Sequence, residues 1–250
     1  MALELVVGDF HAQRLLPFVD PCIAPRAAQW DREHTFPRDV FAQLGELGLM
    51  GVCVPERYAG AGADYLSYAM VIEEISRADA GAGVTLAVHT GAGTLPVLAH
   101  GDDDQRDRVV PPLAQGHEIA AFALTESGAG SDAGAMLTRY EDGRITGTKQ
   151  WITNGSHAHS FVVFAKEPVP THPPHATKPS AFLVRRGAEG FRVTREEEKL
   201  GLNSSTTSDV AIDGARVGRD RLLYEEDRGF RVAMATLDGG RIGIAAQALG

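Results

Sequence analysis

Two short segments constrain this 250-residue chain more than any other part of it. The first, Phe122-Ala-Leu-Thr-Glu-Ser-Gly-Ala-Gly-Ser-Asp132, is an apolar run that breaks into a glycine-rich turn. Glycine allows positive φ and a close approach of the backbone, so successive N–H groups can point at one anion such as a diphosphate. Taken alone, a motif this short more often marks an ordinary strand end.

The second segment, Lys149-Gln-Trp-Ile-Thr-Asn-Gly155, follows after a predicted hairpin. In a strand, side chains alternate, so Trp151 and Thr153 share one face while Gln150 and Ile152 share the other. An indole can cover a flat heteroaromatic ring, and a hydroxyl two residues later can bond a ring heteroatom. A core tryptophan beside a surface threonine is the equally weighted alternative.

The first half of the chain has helical periodicity. A helix is predicted to begin at Pro37 and end at Gly48, because apolar residues recur at a spacing of three to four between them. The stripe from Leu66 to Ile75 predicts a second helix, and Asp104 is expected to cap a third that runs to Ala114. Residues 1–118 are therefore expected to be largely helical.

From Ile119 the pattern changes to short apolar runs separated by turns. The runs 161–165 and 181–184 are typical of strand cores. Turns are predicted at Asp142-Gly143, Asn154-Gly155, Arg186-Gly187 and Asp213-Gly214. This pattern predicts a β domain over residues 119–227.

Helical periodicity returns at residues 228–250. A long apolar stripe is predicted there from Phe230, Met234, Leu237, Ile242, Ala245 and Leu249. A helix this apolar needs neighbours that bury its stripe. We therefore expect the chain to be a fragment of a longer protein or to rely on a partner.

Composition narrows the function classes. With 24 Lys and Arg against 33 Asp and Glu, the formal charge of −9 disfavours a nucleic-acid partner. Cys22 and Cys53 lack metal-ligand spacing and are expected to be reduced, packed thiols, and His172 and His175 are expected to be solvated loop residues. No metal site is predicted.

The chain is expected to be cytoplasmic and to have no membrane partner. The amino-terminal sequence lacks the basic region of a secretory signal. No apolar stretch was expected to approach a membrane span in length.

The two opening segments, at this separation, resemble those of the acyl-CoA dehydrogenase family. Three further segments match in order: Val54 to Gly62, Lys199-Leu-Gly201 with the Ser-Ser-Thr-Thr that follows, and Leu237 to Gly250. The resemblance covers most of the chain. It implies an α+β fold: an all-helical domain (1–118), an antiparallel β-barrel or sandwich (119–227), and the first helix (228–250) of a C-terminal four-helix bundle that is otherwise missing.

The resemblance also implies a cofactor, FAD, and residues that hold it. The implied cofactor-binding residues are Phe122, Ala123, Leu124, Thr125, Gly130, Ser131, Trp151, Ile152 and Thr153. Thr125 is expected to bond the ring system, and Ser131 to contact phosphate or the CoA arm. Asp238 and Arg241 match residues that contact the pantetheine arm and steer the active-site carboxylate, although a surface ion pair is the alternative from spacing alone.

The implied reaction is α,β-dehydrogenation of a short or medium acyl-CoA, with electron-transfer flavoprotein as acceptor. This is the chemistry of fatty acid β-oxidation in lipid metabolism. Most family members place the catalytic glutamate in the missing bundle, and a minority place it just before the arginine that matches Arg241, where this chain has Gly240. No catalytic residue is therefore assigned in this chain, and the isolated chain is expected to be inactive.

Other functions remain open at this point. The same scaffold could act on a carrier-protein thioester, or react with oxygen as an oxidase or monooxygenase. A non-catalytic assembly subunit is the alternative from another class. The full-length protein is expected to be a homotetramer.

Overall fold

The computed structural model describes residues 15–168, 177–218 and 228–250. The amino-terminal half is helical, as predicted. Its helices are α1 (Leu16–Cys22), α2 (Ala24–Glu33), α3 (Arg38–Glu46), α4 (Tyr65–Ala78), α5 (Ala80–Ala87), a π-helical segment (Val88–Thr94), α6 (Leu95–His100) and α7 (Asp103–Ala114). The long helix α8 (Gly229–Leu249) follows the strands.

Two helix boundaries show how well local sequence signals perform. Helix α3 begins just after Pro37, and Val40, Phe41 and Leu44 face the core, as predicted. The cap of α7 was predicted wrongly. Asp102, not Asp104, is the N-cap, because its carboxylate accepts the Gln105 N–H while the Gln105 side chain accepts the Asp102 N–H.

Two threonine side chains hold the π-helical segment, one by a hydrogen bond to a residue outside it and one by a hydrogen bond within it. Thr90 Oγ1 donates to the Met50 carbonyl at 2.9 Å, and Thr94 Oγ1 donates to the His89 carbonyl at 2.8 Å. A Cβ at Gly93 would lie 2.3 Å from the Ala120 Cβ, so only glycine allows this segment to approach the first strand. The segment therefore lies against the sheet at close range.

The second half forms one seven-stranded sheet. Its strands are β1 (Ala120–Ala123), β2 (Arg139–Glu141), β3 (Arg144–Thr153), β4 (Ser160–Pro168), β5 (Thr177–Arg185), β6 (Phe191–Glu196) and β7 (Thr207–Arg216). β5 pairs antiparallel along one edge of β4, while β1 and β2 share its other edge. β2 continues through β3 and β7 to β6 in antiparallel pairing.

The expected fold class, helices followed by a β domain, is confirmed. The sheet is mixed because β1 runs parallel to β4, with Ala120 opposite Ser160. The Asp142-Gly143 turn joins β2 to β3 with both residues at positive φ, as a two-residue hairpin requires. Asp213-Gly214 was placed wrongly between strands: it lies inside β7, with Gly214 at φ +64°.

The core continues from the helices through the sheet. Strand β4 is buried on both faces: Val162 and Phe164 pack toward the helices, and Phe161, Val163 and Ala165 pack on the opposite face. A strand covered on both sides is a continuous apolar run, which explains why its sequence pattern was easy to recognise. The sheet and the helices therefore share one buried layer.

Helix α8 buries a different stripe from the predicted one. The residues of α8 that are buried are Gly229, Val232, Ala233, Thr236, Gly243 and Ala246. Phe230, Ile242 and Leu249 of the predicted stripe are exposed. The small residues face the protein because α8 packs closely on α4 and β5, where a larger side chain would collide.

One helical run, Ala80–His100, is long and apolar enough to cross a membrane by length and composition alone. The expectation that no such stretch exists was wrong. In the structure 67% of its apolar window is buried against the rest of the protein, as in the core helix of a globular fold.

Cys22 and Cys53 are free thiols at partly buried positions, in agreement with prediction. His172 and His175 lie outside the described residues.

Among the residues that the structure describes, the most buried histidine links the helices to the sheet. His89 is fully buried, its Nε2 lies 3.1 Å from the Leu113 carbonyl, and its Nδ1 accepts the Ala120 N–H at 3.1 Å. These partners require the neutral ring with the proton on Nε2. Burial lowers the pKa of His89 to about 4.

We expect His89 to make the fold sensitive to acid. Above pH 6.5 the His89 ring is neutral in both the folded and the unfolded chain. Between pH 6.5 and about 4 the unfolded chain binds a proton that the folded chain does not, so the free energy of unfolding falls as the pH falls. The loss across this window is about 3 kcal/mol. Gln at this position cannot be protonated, so His89→Gln should reduce the pH dependence of the unfolding free energy, measured in urea from pH 4 to 7.

His34→Asn is the matched control, because His34 is exposed on the same helical layer and Asn tolerates its left-handed backbone. The control should keep the pH dependence of the parent. An unchanged profile in His89→Gln would contradict the prediction.

Candidate functional site

A cavity of about 600 Å³ lies where the sheet, the π-helical segment and α8 meet. This volume is within the range of small-molecule and cofactor pockets. Its wall contains eight of the nine residues predicted to bind the cofactor, together with residues from both helical elements. From the two predicted segments come Phe122, Leu124, Thr125, Gly130, Ser131, Trp151, Ile152 and Thr153, and the helical residues include Val88, Ala92, Met234, Thr236, Leu237, Gly240, Arg241 and Ile244. The two predicted segments therefore meet at one site.

Ile152 and Ala123 differ from the other seven predicted residues. Ile152 borders the cavity, but it is only 1% exposed and belongs to the core cluster behind the sheet. The side chain of Ala123 is buried in that same cluster and is not part of the cavity wall. Strand alternation explains the difference at Ala123, because Phe122 and Leu124 face the cavity side of β1.

The glycine-rich turn closes the cavity at the end of β1. It is held by two backbone bonds between Glu126 and Ala129, at 3.0 and 3.3 Å. Gly128 and Gly130 do not adopt positive φ, so the conformational reason given for them from sequence was wrong. Their contribution is space, since a Cβ at either position would have nothing within 4 Å.

Strand β3, the strand that contains Trp151, has a β-bulge at the cavity. The register with β7 shifts between Lys149 and Ile152, and Trp151 lies at φ +57°. A left-handed backbone is rare for a bulky residue and persists only where the surrounding structure enforces it. The predicted alternation holds after the bulge: Trp151 is exposed, Ile152 is buried and Thr153 is partly exposed.

Two hydrogen-bonded anchors hold this bulge. On one side the Gln150 N–H donates to the Thr125 carbonyl at 2.9 Å, which joins the two predicted segments directly. On the other side Asn154 is fully buried at φ +67°, and its Nδ2 donates to the Thr85 carbonyl at 3.0 Å and the Ala120 carbonyl at 3.2 Å. Asn154 was predicted only as a turn residue, and its anchoring role depends on partners distant in sequence.

The helical side of the cavity was largely missed from sequence. Val88 and Ala92 come from the π-helical segment, and Thr236 comes from the buried side of α8. A π-helical segment often marks a functional site, and the small residues around Ala92 were the available signal for a close approach. Met234 and Leu237 were assigned to an apolar stripe, and both contribute to the cavity wall.

Arg241 and Asp238 are partners on the exposed side of α8. Arg241 Nη1 lies 2.5 Å from Asp238 Oδ1, and both side chains are more than 70% exposed. Arg241 borders the cavity, whereas Asp238 does not. An exposed pair of this kind adds little to stability, and Arg241 is the member of the pair that can reach a ligand in the cavity.

The described residues of the cavity wall are mostly uncharged. Among the described residues that form it, Arg241 is charged and no carboxylate is present. The other polar groups are the hydroxyls of Thr125, Ser131, Thr153 and Thr236 and the indole N–H of Trp151. The cavity can therefore bind and orient a ligand, but these residues offer it no carboxylate base.

The residues fit the flavin that the resemblance implies. Trp151 is 58% exposed, so a flat indole face is available to cover a ring system. The open space at Gly128 and Gly130 lets an anionic group approach the turn closely. Both features come from the structure and not from the sequence match.

Comparisons with known proteins agree with this geometry. A family model described as acyl-CoA dehydrogenase, N-terminal domain, matches residues 12–117, and one described as acyl-CoA dehydrogenase, middle domain, matches residues 121–215. An acyl-CoA dehydrogenase of Bacillus subtilis (strain 168) is 45% identical over 232 residues, which cover 91% of this chain and 60% of the relative. The chain thus spans about 60% of the length of this curated relative.

Solved structures give the same result. Butyryl-CoA dehydrogenase from Megasphaera elsdenii superposes with a TM-score of 0.88 at 32% identity, covering 97% of this chain and 64% of that one. An acyl-CoA dehydrogenase from Bacillus anthracis complexed with FAD has a TM-score of 0.77 at 32% identity, covering 98% of this chain and 41% of that one.

We expect the side-chain hydrogen bonds of Asn154 to contribute more to the free energy of unfolding than its tolerance of a left-handed backbone does. In Asn154→Gly the backbone conformation is retained, but the Thr85 and Ala120 carbonyls lose their donor, which should cost about 2 kcal/mol. Asn154→Ala should cost about 1 kcal/mol more, because alanine tolerates positive φ poorly. Urea unfolding followed by circular dichroism measures both.

A glycine variant as stable as the parent would show that the two donated bonds contribute nothing. A glycine variant less stable than the alanine variant would show that the left-handed backbone is not strained.

Proposed function

The chain belongs to the acyl-CoA dehydrogenase family, and we propose that the protein is an FAD-dependent enzyme that oxidises a short- or medium-chain acyl-CoA to the trans-2-enoyl-CoA. The carrying observation is the cavity where the exposed Trp151 indole, the threonine hydroxyls and the open glycine turn meet. The similarity to butyryl-CoA dehydrogenase supports a short acyl chain. The FAD-bound Bacillus anthracis relative supports the cofactor.

Each part of the cavity has a proposed role in holding FAD. Trp151 covers the ring system, Thr125 and Thr153 hydrogen-bond its polar edge, and the turn through Ser131 receives the diphosphate. When bound, the flavin supplies the acceptor for a hydride from the substrate. The apolar side chains of Leu124 and Leu237 exclude water from the space beside the ring.

The substrate is proposed to enter along α8. Arg241 is the charged wall residue among those described, and it is placed to meet the polar arm or the thioester end of an acyl-CoA. Asp238 holds the guanidinium through their ion pair. Ser131, exposed at the turn, is a second proposed contact for the CoA arm.

The proton acceptor is proposed to come from outside the wall described above. Removal of the proton next to a thioester carbonyl needs a base, and a carboxylate in a dry pocket serves that role in this chemistry. The described wall has none, and Gly240 occupies the α8 position where a minority of the resembling family has its glutamate. We therefore expect the 250-residue chain by itself to be catalytically inactive.

The lack of a wall carboxylate also favours a second candidate, a non-catalytic assembly subunit. The exposed indole beside open glycines argues against that candidate, because neither feature serves packing. Flavin binding separates the two functions.

Partners and setting follow from the family resemblance as further proposals. Electron-transfer flavoprotein is the proposed acceptor, a role in fatty acid β-oxidation is the proposed pathway, and a cytoplasmic homotetramer is the proposed form of the whole protein. Oxygen uptake during turnover, in place of acceptor reduction, would indicate an oxidase or monooxygenase instead.

Flavin binding should depend on the Trp151 ring. The parent chain mixed with FAD should show the visible absorbance of bound oxidised flavin, and Trp151→Leu should weaken binding about tenfold, because it removes a stacking face. Titration followed by flavin fluorescence measures both affinities. Trp30→Phe is the control, since Trp30 is buried in the helical core and should leave FAD affinity unchanged.

A folded parent chain with no affinity for FAD would refute the cofactor proposal and favour the assembly subunit. Equal affinities of the parent and Trp151→Leu would refute the stacking role alone.

A glutamate at position 240 should supply the missing base. Gly240 borders the cavity, and a Cβ there would meet nothing within 4 Å, so a side chain can enter. Gly240→Glu loaded with FAD should oxidise butyryl-CoA with a dye acceptor roughly a hundredfold faster than the parent chain, the scale of general base catalysis.

Gly240→Gln is the matched control, because its side chain has the same shape but cannot accept the proton at neutral pH. Turnover by the parent chain or by Gly240→Gln at the rate of Gly240→Glu would contradict the assignment of the base.

A further inference from the structure

A fully buried lysine lies directly behind the cavity wall. Lys149 is 0% exposed, and its Nζ donates to the Leu124 carbonyl at 3.0 Å and to Glu126 Oε1 at 2.7 Å. Lysine is almost never fully buried unless it is paired. Leu124 belongs to the first predicted segment and Lys149 to the second, so this ammonium joins them from behind.

Glu126 receives the other end of the pair and organises the turn. Its carboxylate accepts the Leu137 N–H at 2.6 Å and the Thr138 N–H at 3.1 Å, while its backbone makes the two bonds with Ala129 that close the turn. Glu126 thus stabilises the turn from within, connects the turn to Leu137 and Thr138, and accepts a hydrogen bond from Lys149. The side chain is only 7% exposed.

The bulge at Trp151 begins immediately after Lys149. Lys149 still pairs in register with Val210, and the register is regained at Ile152 opposite Ser208. The strained residue therefore lies between a buried ionic anchor at 149 and the buried Asn154. The Gln150 N–H bond to the Thr125 carbonyl lies between Lys149 and Trp151, so it depends on where Lys149 is held.

The pair is charged at neutral pH. Burial lowers the pKa of Lys149 to about 8, even though the Glu126 carboxylate acts to raise it. Burial also acts to raise the pKa of Glu126, but its bonds with Lys149, Thr138 and Leu137 outweigh this and leave the pKa below its usual value. A buried ion pair is weak evidence for stability, because apolar side chains of similar volume often serve a core as well. Its distinctive property is directional bonding to defined backbone atoms.

We propose that Lys149 and Glu126 form a positioning pair that fixes the distance between the glycine turn and the Trp151 bulge, so that both meet one cofactor. The pair touches neither the cavity nor a ligand and acts through Leu124, Thr125 and Trp151. The expected effect of the pair on FAD affinity rests on the proposed function, whereas its expected effect on the order of Trp151 is independent of that function.

The experiment uses Trp151 itself as the probe. The chain has two tryptophans, so Trp30→Phe leaves Trp151 as the single emitter. In that background, Lys149→Met removes both donated bonds, and Glu126→Gln removes the charge while keeping an acceptor for the Leu137 N–H. Fluorescence anisotropy and acrylamide quenching of Trp151 are measured without FAD, and FAD affinity is then measured by titration.

The expected result is a loss of order at Trp151 in both variants. Anisotropy should fall, quenching should rise, and FAD affinity should decrease about tenfold or more, since small displacements of positioning groups are costly. The double variant should lose no more than Lys149→Met, because both substitutions break the same contact.

The matched control is an ion pair that joins β5 to the segment before β1. Arg185 bonds Glu118 at 2.5 Å where the helices meet β5, and neither residue borders the cavity. Arg185→Met and Glu118→Gln should lower the urea midpoint but leave Trp151 anisotropy, quenching and FAD affinity at the parent values.

The outcomes separate the two proposals. Unchanged Trp151 signals in folded Lys149→Met, or changes equal to those of Arg185→Met, would overturn the positioning role. If Lys149→Met does not fold, Glu126→Gln carries the test, and failure of both to fold would overturn the proposal in favour of a purely stabilising pair. A parent chain without FAD affinity would refute the proposed cofactor, while the Trp151 signals would still decide the positioning role.

Discussion

The arrangement of the helical layer, β1 and the bulged strand around the cavity depends on one buried residue, Ala120, at the start of β1. The Ala120 N–H donates to His89 of the π-helical segment, and the Ala120 carbonyl accepts from Asn154 at the end of the tryptophan strand. Both side chains are fully buried, so neither bond competes with water. Through this residue the helical layer, the first strand and the bulged strand are held together, and the cavity lies where they meet.

The site has buried, hydrogen-bonded residues behind the cavity wall and an exposed tryptophan on the cavity side. Buried polar anchors at Lys149 and Asn154 hold a strand whose Trp151 is strained and exposed. Strain of this kind persists where neighbours determine the backbone, and it commonly accompanies a ligand site. Hydrogen bonds of the polar anchors are directional and apolar contacts are not, so these anchors can hold a strained backbone in one geometry.

Much of the fold could be predicted from local sequence, because its signals are local. The helix after Pro37, the strand core of β4 and the Asp142-Gly143 hairpin depend on residues within a few positions of one another. The errors share another cause. The cap at Asp102, the small-residue face of α8 and the position of Gly214 inside β7 were decided by packing partners distant in the chain.

The sequence by itself determined the order of helices and strands, the two segments that form the sheet side of the cavity and the family they resemble, because glycine turns, alternation and helical stripes are short-range patterns. Only the tertiary structure decided that Ala123 faces the core, that Trp151 lies in a bulge, and that Val88 and Thr236 complete the wall. The physical reason is that a cavity is a property of surfaces brought together by non-local contacts. The Lys149–Glu126 pair connects the two predicted segments of the cavity wall. Its residues lie 23 positions apart, and no short sequence pattern specifies such a contact.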